Sequence, residues 1–442
     1  MKEICKIPPE IYALLSEQRI LNEEKFRLIQ FIIVSEVGDS IVLFNSLTRQ
    51  MVLLDKDEYN NLTKHRETYD FLIKNWILVP EKFNDIKFYE QIYNLYSLIM
   101  RQNYINNFIV FPTTDCNARC FYCFERQAQK KIMSNDTAVD VARFMIDKSK
   151  GHDITIQLFG GEPLCNIAAI DTIFNFLKAN NAVYKSWMIS NGYLFDQDLI
   201  DKARNNWNLY KVQITLDGTE RVYNRIKNYI HEDPNPFERV IRNIKLLLSA
   251  GIKVSIRLNL DEHNKNDLSE LIDYLNTEFA DNKSLLSVYV FLLYDSRKAK
   301  KRNESEIEEL TNKLTELEDK IRNYGLNSKK KLRRTFKYYS CLADANSSTT
   351  ILPDGNLGKC DHCLDSGYWG NIYDSNIKKE NITVWKALSA RDEICQTCPL
   401  YPECIHLERC PDYDGYSCTE ERKMQKIQNV REKILFEIEN LK

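Results

Sequence analysis

Between residues 105 and 295 short apolar runs alternate with amphipathic stretches, which confines this part of the chain to a parallel sheet joined by helical crossovers. Six strands are expected, at 108–111, 154–159, 185–189, 212–216, 253–258 and 286–292. The helical patterns between them include 137–147, with Val141, Phe144 and Met145 on one face, and 240–248, stopped at Gly251. Six such units are too few for a closed eight-stranded barrel, so the expected class is α/β with a partial (β/α)6 barrel over 105–295.

The flanks have other textures. Residues 1–95 show strand-like runs at 29–35, 40–44, 51–54 and 77–80 and helical patterns at 58–65 and 68–76, the layout of a small α+β, winged-helix-like domain. Over 296–335 a helical linker is expected, because Ile307, Leu310, Leu314, Leu317 and Ile321 recur at helical spacing across 304–323. The basic runs at 297–302 and 329–334 read as solvated linker charge. Residues 336–442 form a cysteine-rich domain ending in a helix with Met424, Ile427, Val430, Ile434, Ile438 and Leu441 on one stripe, its start capped by Ser417 with Glu420.

Basic and acidic residues nearly cancel, 61 against 63, so no global field marks nucleic acid or an acidic membrane as a partner. No apolar run approaches the ~18 residues of a membrane span, and residues 1–10 lack a secretion signal, so a cytoplasmic protein is expected. Thirteen cysteines in a reducing compartment point to metal ligation rather than disulfides. Cys5 and Cys165 are isolated, three thiols crowd between Cys116 and Cys123, and eight lie between Cys341 and Cys418.

Cys116, Cys120 and Cys123 form C-x3-C-x2-C directly after the first barrel strand, at the strand end where parallel α/β folds build their sites. Three thiolates hold three irons of a [4Fe-4S] cluster and leave the fourth open to a substrate. A structural zinc site wants a fourth ligand, which neither Asp115 nor Glu125 obviously supplies, although three thiolates plus water would serve. Four further segments follow in order, each at a strand end: Phe159-Gly160-Gly161-Glu162-Pro163, Ser190-Asn191-Gly192, Asp217-Gly218, and Arg257 with Asn259. Paired glycines admit close approach of a ligand to the main chain, and Glu162 is suited to accept from a cationic group.

This set resembles the radical S-adenosylmethionine (SAM) superfamily over the whole expected barrel. The resemblance implies a cluster on Cys116, Cys120 and Cys123, with Tyr122 against the adenine. It implies that Gly160, Gly161, Glu162 and Pro163 receive the methionyl group of SAM, and that Ser190 and Asn191 contact the ribose. Asp217, Arg257 and Asn259 complete its polar contacts. The chemistry implied is cleavage of SAM to a 5′-deoxyadenosyl radical that abstracts hydrogen, in a barrel closed to water. One departure concerns the turn after Asp217: where relatives have H-D-x-x-R, this chain has Tyr223, Asn224 and Lys227.

The C-terminal thiols resemble the SPASM extension of peptide-modifying members, which carries two auxiliary [4Fe-4S] clusters. The resemblance assigns Cys395, Cys398, Cys404 and Cys418 to the outer cluster and Cys341, Cys360 and Cys410 to the inner one. Cys363, at C-x2-C spacing from Cys360, is the substitute for a missing fourth thiol; an open iron is the alternative, and zinc ribbons rival the whole assignment. Three clusters in all then use eleven of the thirteen thiols. Asp361 matches a general base of anaerobic sulfatase maturases, against a plain solvated reading, and His362 reads as structural. The N-terminal domain suits a leader-binding domain that pairs an edge strand with a precursor peptide. The expected activity is therefore peptide maturation by thioether formation, with carbon–carbon crosslinking, epimerisation and formylglycine formation as alternatives, and a flavodoxin or ferredoxin as electron donor.

Overall fold

The computed structural model describes residues 1–6, 9, 25–99, 102–293, 304–327, 332, 342–362, 364–374, 376–383, 393–404 and 420–439. Cys341, Cys363, Cys410, Ser417, Cys418 and Leu441 lie outside the described residues. The chain divides into two compact units, one formed by Met1–Arg101, Lys329–Cys341 and Lys386–Lys442, the other by Gln102–Ser328 and Leu342–Trp385.

The first unit is built on an antiparallel sheet of β1 (Lys2–Cys5), β3 (Ile32–Val37), β4 (Ser40–Asn45) and β5 (Met51–Asp55), in the order β1-β5-β4-β3, with β2 (Phe26–Leu28) paired to β6 (Leu78–Pro80). One face packs Phe31, Leu43 and Val52 against Trp76, Phe88 and Tyr89. The other packs Ile33, Val42, Phe44 and Met51 against the terminal helix Glu420–Glu439 through Ile427, Val430, Ile434 and Ile438. Met424 departs from the expected stripe and is 51% exposed. A helix of this length runs about 30 Å, a six-residue strand about 20 Å, so the helix overhangs the sheet. The helix expected at 58–65 breaks at Asn61 into Lys56–Asn60 and a short 3₁₀ turn at Leu62–Lys64. Consecutive asparagines bond their own backbone and weaken a helix there; the Asn61 amide donates to Asp57 Oδ1 at 2.9 Å.

In the second unit all six expected strands form, as β7 (Asn107–Val110), β8 (Ile154–Leu158), β9 (Tyr184–Ser190), β10 (Leu209–Leu216), β11 (Lys253–Leu260) and β12 (Leu286–Leu292). They pair in parallel, in sequence order. Helices Asn135–Ser149, Ile167–Ala179, Gln197–Asn205 and Pro236–Ser249 begin at Ser134, Asn166, Asp196 and Asn235, whose side chains each accept an N–H of the first turn. Their inward residues Val141, Met145, Ile170, Phe174, Val240 and Leu247 are fully buried on the sheet. The helix Glu304–Asn323 joins this core through Leu310, Leu317 and Ile321.

The sheet then gains strands from the cysteine-rich region. β13 (Ser348–Ile351) runs parallel to β7, and β14 (Asn356–Gly358) and β15 (Gly370–Asn371) extend it antiparallel. The turn between β13 and β14 carries Gly355 at φ +80°. This hairpin brings Cys360, Asp361 and His362 to the barrel, because Ile351 registers with Val110, the last residue of β7.

Candidate active site

The cysteine loop leaves β7 and is stitched down before its first thiol. Thr113 Oγ1 donates to the Lys131 carbonyl at 3.0 Å, Thr114 Oγ1 to that of Gln129 at 2.8 Å, and the Thr114 N–H to Lys131 at 2.9 Å. Asp115 Oδ1 accepts the Cys116 N–H at 2.9 Å, and the Ala118 N–H donates to Cys116 Sγ at 3.3 Å. Further along, the Arg119 N–H donates to the Lys227 carbonyl at 2.8 Å. Burial pushes the Cys116 thiol up, and Glu162, Cys120 and Cys123 add to it. The three thiols share this loop, and among the described residues no three Cys, His, Asp or Glu side chains are gathered tightly enough to hold a single metal ion. Cys165 also borders the loop: it is exposed, and burial of its sulfur, then Glu162 and Asp115, push its thiol up to about 12.

The Gly160-Gly161 pair also makes a close contact within the chain. A Cβ on Gly160 would stand 2.3 Å from the Thr113 carbonyl oxygen, and one on Gly161 2.1 Å from that of Asp115. The glycines therefore let β8's outgoing turn lie against the chain's own cysteine loop, joined to it by Gly161 N–H to Thr113 O at 3.3 Å and Glu162 N–H to Asp115 O at 2.9 Å. The Glu162 carboxylate is fully buried and accepts from Ser190 Oγ at 2.9 Å, the Asn191 N–H at 2.8 Å and the Leu164 N–H at 3.3 Å. Burial pushes this carboxyl up to about 7 against those three donors. Pro163, next in the chain, opens a short 3₁₀ turn. The Ser190-Asn191 turn is thus clamped to the G-G-E-P segment and through it to the thiols.

A buried ion pair floors the other side. Lys227 Nζ stands 2.9 Å from Asp217 Oδ2, with the two side chains 3% and 0% exposed. Tyr122 Oη donates to both Asp217 oxygens, at 2.9 and 3.0 Å, and Lys227 Nζ lies 3.2 Å from that hydroxyl. Asn259 Nδ2 donates to Asp217 Oδ1 at 2.9 Å, and Arg257 Nε to Asn259 Oδ1 at 2.9 Å. Burial opposes the Lys227 charge, but Asp217 and Tyr122 outweigh it and hold its pKa well above the ordinary value. The departure at the turn after Asp217 is resolved here: Lys227 is an internal counter-ion. Its signal in the sequence was a lone lysine on a helix face otherwise carrying Tyr223 and Ile226.

At the β13–β15 side His362 stacks on Phe124 with ring centroids 4.0 Å apart, and its N–H donates to Cys360 Sγ at 3.5 Å. Asp361 Oδ1 lies 3.4 Å from the same sulfur. Glu125, which the sequence reading set aside, is 7% exposed; burial first, then the Asp361 charge, push its carboxyl to about 8. In the first unit Cys395, Cys398 and Cys404 follow one another in a tight turn, with the Cys398 N–H bonded to the Cys395 carbonyl at 3.0 Å and Lys426 Nζ 3.5 Å from Cys404 Sγ.

Three thiols on one loop at the C-terminal end of a parallel sheet, a G-G-E-P turn locked against them and the polar Ser190-Asn191 turn beyond make up the site. Residues 110–275 match the Radical SAM superfamily, and the chain is a radical SAM enzyme, a class that binds SAM and a [4Fe-4S] cluster. The chain is 21% identical over 454 aligned positions to the radical SAM cyclopropyl synthase TigE of Paramaledivibacter caminithermalis, covering 88% of this chain and 90% of TigE. Its fold resembles native anSMEcpe with bound AdoMet and Cp18Cys peptide, at TM-score 0.53 and 16% identity over 74% of this chain and 99% of that one. It also resembles Streptococcus suis SuiB bound to precursor peptide SuiA, at TM-score 0.50 and 14% identity over 88% of this chain and 98% of that one. Among the described residues no helix is long and apolar enough to cross a membrane.

The residues present suit the cluster on two counts. Soft thiols form the donor set, and the loop carries a buried amide nitrogen, Asn117 Nδ2, with no hydrogen-bond partner among the described residues.

Proposed function

We propose that the chain matures a ribosomally made precursor peptide in the cytoplasm, joining a Cys sulfur to a carbon of another residue. Cys116, Cys120 and Cys123 hold the cluster, and SAM lies along Glu162, Ser190, Asn191, Asp217, Arg257 and Asn259. Bound together, these groups supply a radical that takes hydrogen from an unactivated C–H bond. The chain's own part is positional. Glu162 keeps the Ser190-Asn191 turn at a fixed distance from the thiols, and the Lys227–Asp217 pair keeps Tyr122 and Asn259 in one arrangement. The apolar strands around them exclude water.

Closing a thioether on a carbon radical releases one proton and one electron, so an acceptor belongs next to the peptide. Cys341, Cys360, Cys363 and Cys410 are the set assigned to it, with Cys395, Cys398, Cys404 and Cys418 on a second auxiliary cluster and a flavodoxin or ferredoxin as donor. The observation that carries the reading is the reach of the likeness. It runs over 88% of the chain toward both TigE and SuiB, well past the barrel, and both solved neighbours hold peptides.

With a Cys-containing precursor, the product is expected to be lighter by two hydrogens and to lose one alkylatable thiol. An unchanged mass would mean epimerisation, and an Asp361-dependent aldehyde at a single Cys would mean formylglycine formation. The TigE likeness favours one second reading, ring closure between carbons, which also removes two hydrogens but leaves every thiol alkylatable.

The leader segment adds to β3, an outer strand of the first sheet. Val37 and Ser40 close a two-residue turn and are a hydrogen-bonded pair, so Val34 and Glu36 aim their backbone groups away from β4. Arg431 Nε on the Val34 carbonyl, at 3.1 Å, agrees with that direction. Glu36→Pro removes one outward N–H without touching the ladder to β4. It is expected to abolish binding of the leader peptide; binding equal to the parent protein refutes addition at β3.

A further inference from the structure

Asn117 sits between the first thiol and the ribose-type turn, 2% exposed. Its orientation is decided by a backbone group two turns away. The Tyr193 N–H, which is only a donor, points at Asn191 Oδ1 at 3.0 Å. That fixes the Asn191 amide, so the group 2.7 Å from Asn117 is Asn191 Nδ2, and the Asn117 atom that receives it is Oδ1. Asn117 Nδ2 is therefore the end turned away from Asn191, with both its N–H groups unpartnered among the described residues. The same amide lies against the cysteine: Cys116 Sγ is 3.9 Å from Asn117 Oδ1 and 4.0 Å from Asn191 Nδ2. A buried donor without an acceptor is costly, and it persists where a ligand supplies the acceptor.

We propose that Asn117 Nδ2 donates a hydrogen bond to sulfur of the iron–sulfur cluster held by Cys116, and that this bond raises the cluster's reduction potential. The direction follows from charge. Reduction adds an electron to the cluster, its sulfurs become better acceptors, and an N–H donor stabilises that state over the oxidised one. Asn191 thereby acts at one remove, as the positioning residue that aims the Asn117 amide. The inference rests on Cys116, Cys120 and Cys123 being the cluster's ligands.

The test is an EPR-monitored redox titration of the full-length, anaerobically reconstituted protein without SAM. The signal to follow is the component that a Cys116→Ala, Cys120→Ala, Cys123→Ala triple variant lacks. Asn117→Leu, close in shape and without a donor, is expected to shift its midpoint to a more negative potential. Asn117→Asp keeps the acceptor for Asn191 and loses the donor, so it is expected to shift the same way and carries the test if the leucine variant does not fold. Midpoints equal to the parent's in both variants overturn the proposal. Equal midpoints together with weakened SAM binding overturn it in favour of an amide that serves the cofactor instead. A triple variant that lacks no component overturns the ligand assignment itself, a separate failure visible before any Asn117 variant is measured.

Discussion

Replacing Gly161 by alanine puts a methyl carbon 2.1 Å from the Asp115 carbonyl oxygen, 2.5 Å from its carbon and 2.8 Å from the Thr114 oxygen. All three are backbone atoms, so no side-chain rotation relieves the contact, and the two turns have to part by about 1 Å to reach ordinary packing. Parting them breaks the Gly161-to-Thr113 and Glu162-to-Asp115 hydrogen bonds. Overpacking at about 1–3 kcal/mol with two backbone bonds at about 1 kcal/mol each gives a loss of about 3–5 kcal/mol. For a unit of this size that corresponds to a fall of about 10 °C in melting temperature. The displaced segment carries Cys116, so SAM cleavage is expected to drop about 100-fold on top of the stability loss. Gly370→Ala is the control, because the nearest atom to its added Cβ is 3.7 Å away. Scanning calorimetry and single-turnover SAM cleavage measure the two effects. A Gly161→Ala protein that melts with Gly370→Ala and cleaves SAM at the parent rate would refute the claim that these glycines are there for the cysteine loop.

Anaerobic reconstitution is expected to yield about twelve irons per chain, eight of which survive the triple Cys116, Cys120 and Cys123 substitution; a total near four, by iron assay, rules out the auxiliary clusters. Lys227→Met strands the Asp217 charge in a buried site and is expected to cost about 3–5 kcal/mol, most of it recovered in the Asp217→Asn, Lys227→Met double variant; additive losses in denaturant titrations would deny the pairing. Ile434→Ala, at a fully buried position of the terminal helix, is expected to cost about 2–5 kcal/mol and to loosen the first unit, read as faster hydrogen exchange in β3 and β4.

Strand and helix periodicity is a local property, and it marked the six parallel strands and the helix Glu304–Asn323, while their order in the sheet belongs to the fold. The thiol spacing and the turns after β8 and β9 stood out equally in the sequence, since each is a short local segment. What the segments do to each other did not. Gly160 and Gly161 read as close approach to a ligand, and only the fold shows that the same glycines also lie against Thr113 and Asp115. Lys227 read as a missing arginine, and only the fold sets it on Asp217, because a residue at the end of one helix meets a strand end ten positions earlier through the closure of the turn between them. Asn117 carried no signal at all: its orphaned amide exists only once the Tyr193 N–H has chosen the Asn191 orientation. The β13–β15 extension was hidden for the same reason, as a four-residue strand becomes a strand when an edge such as β7 offers it hydrogen bonds across more than two hundred residues of chain.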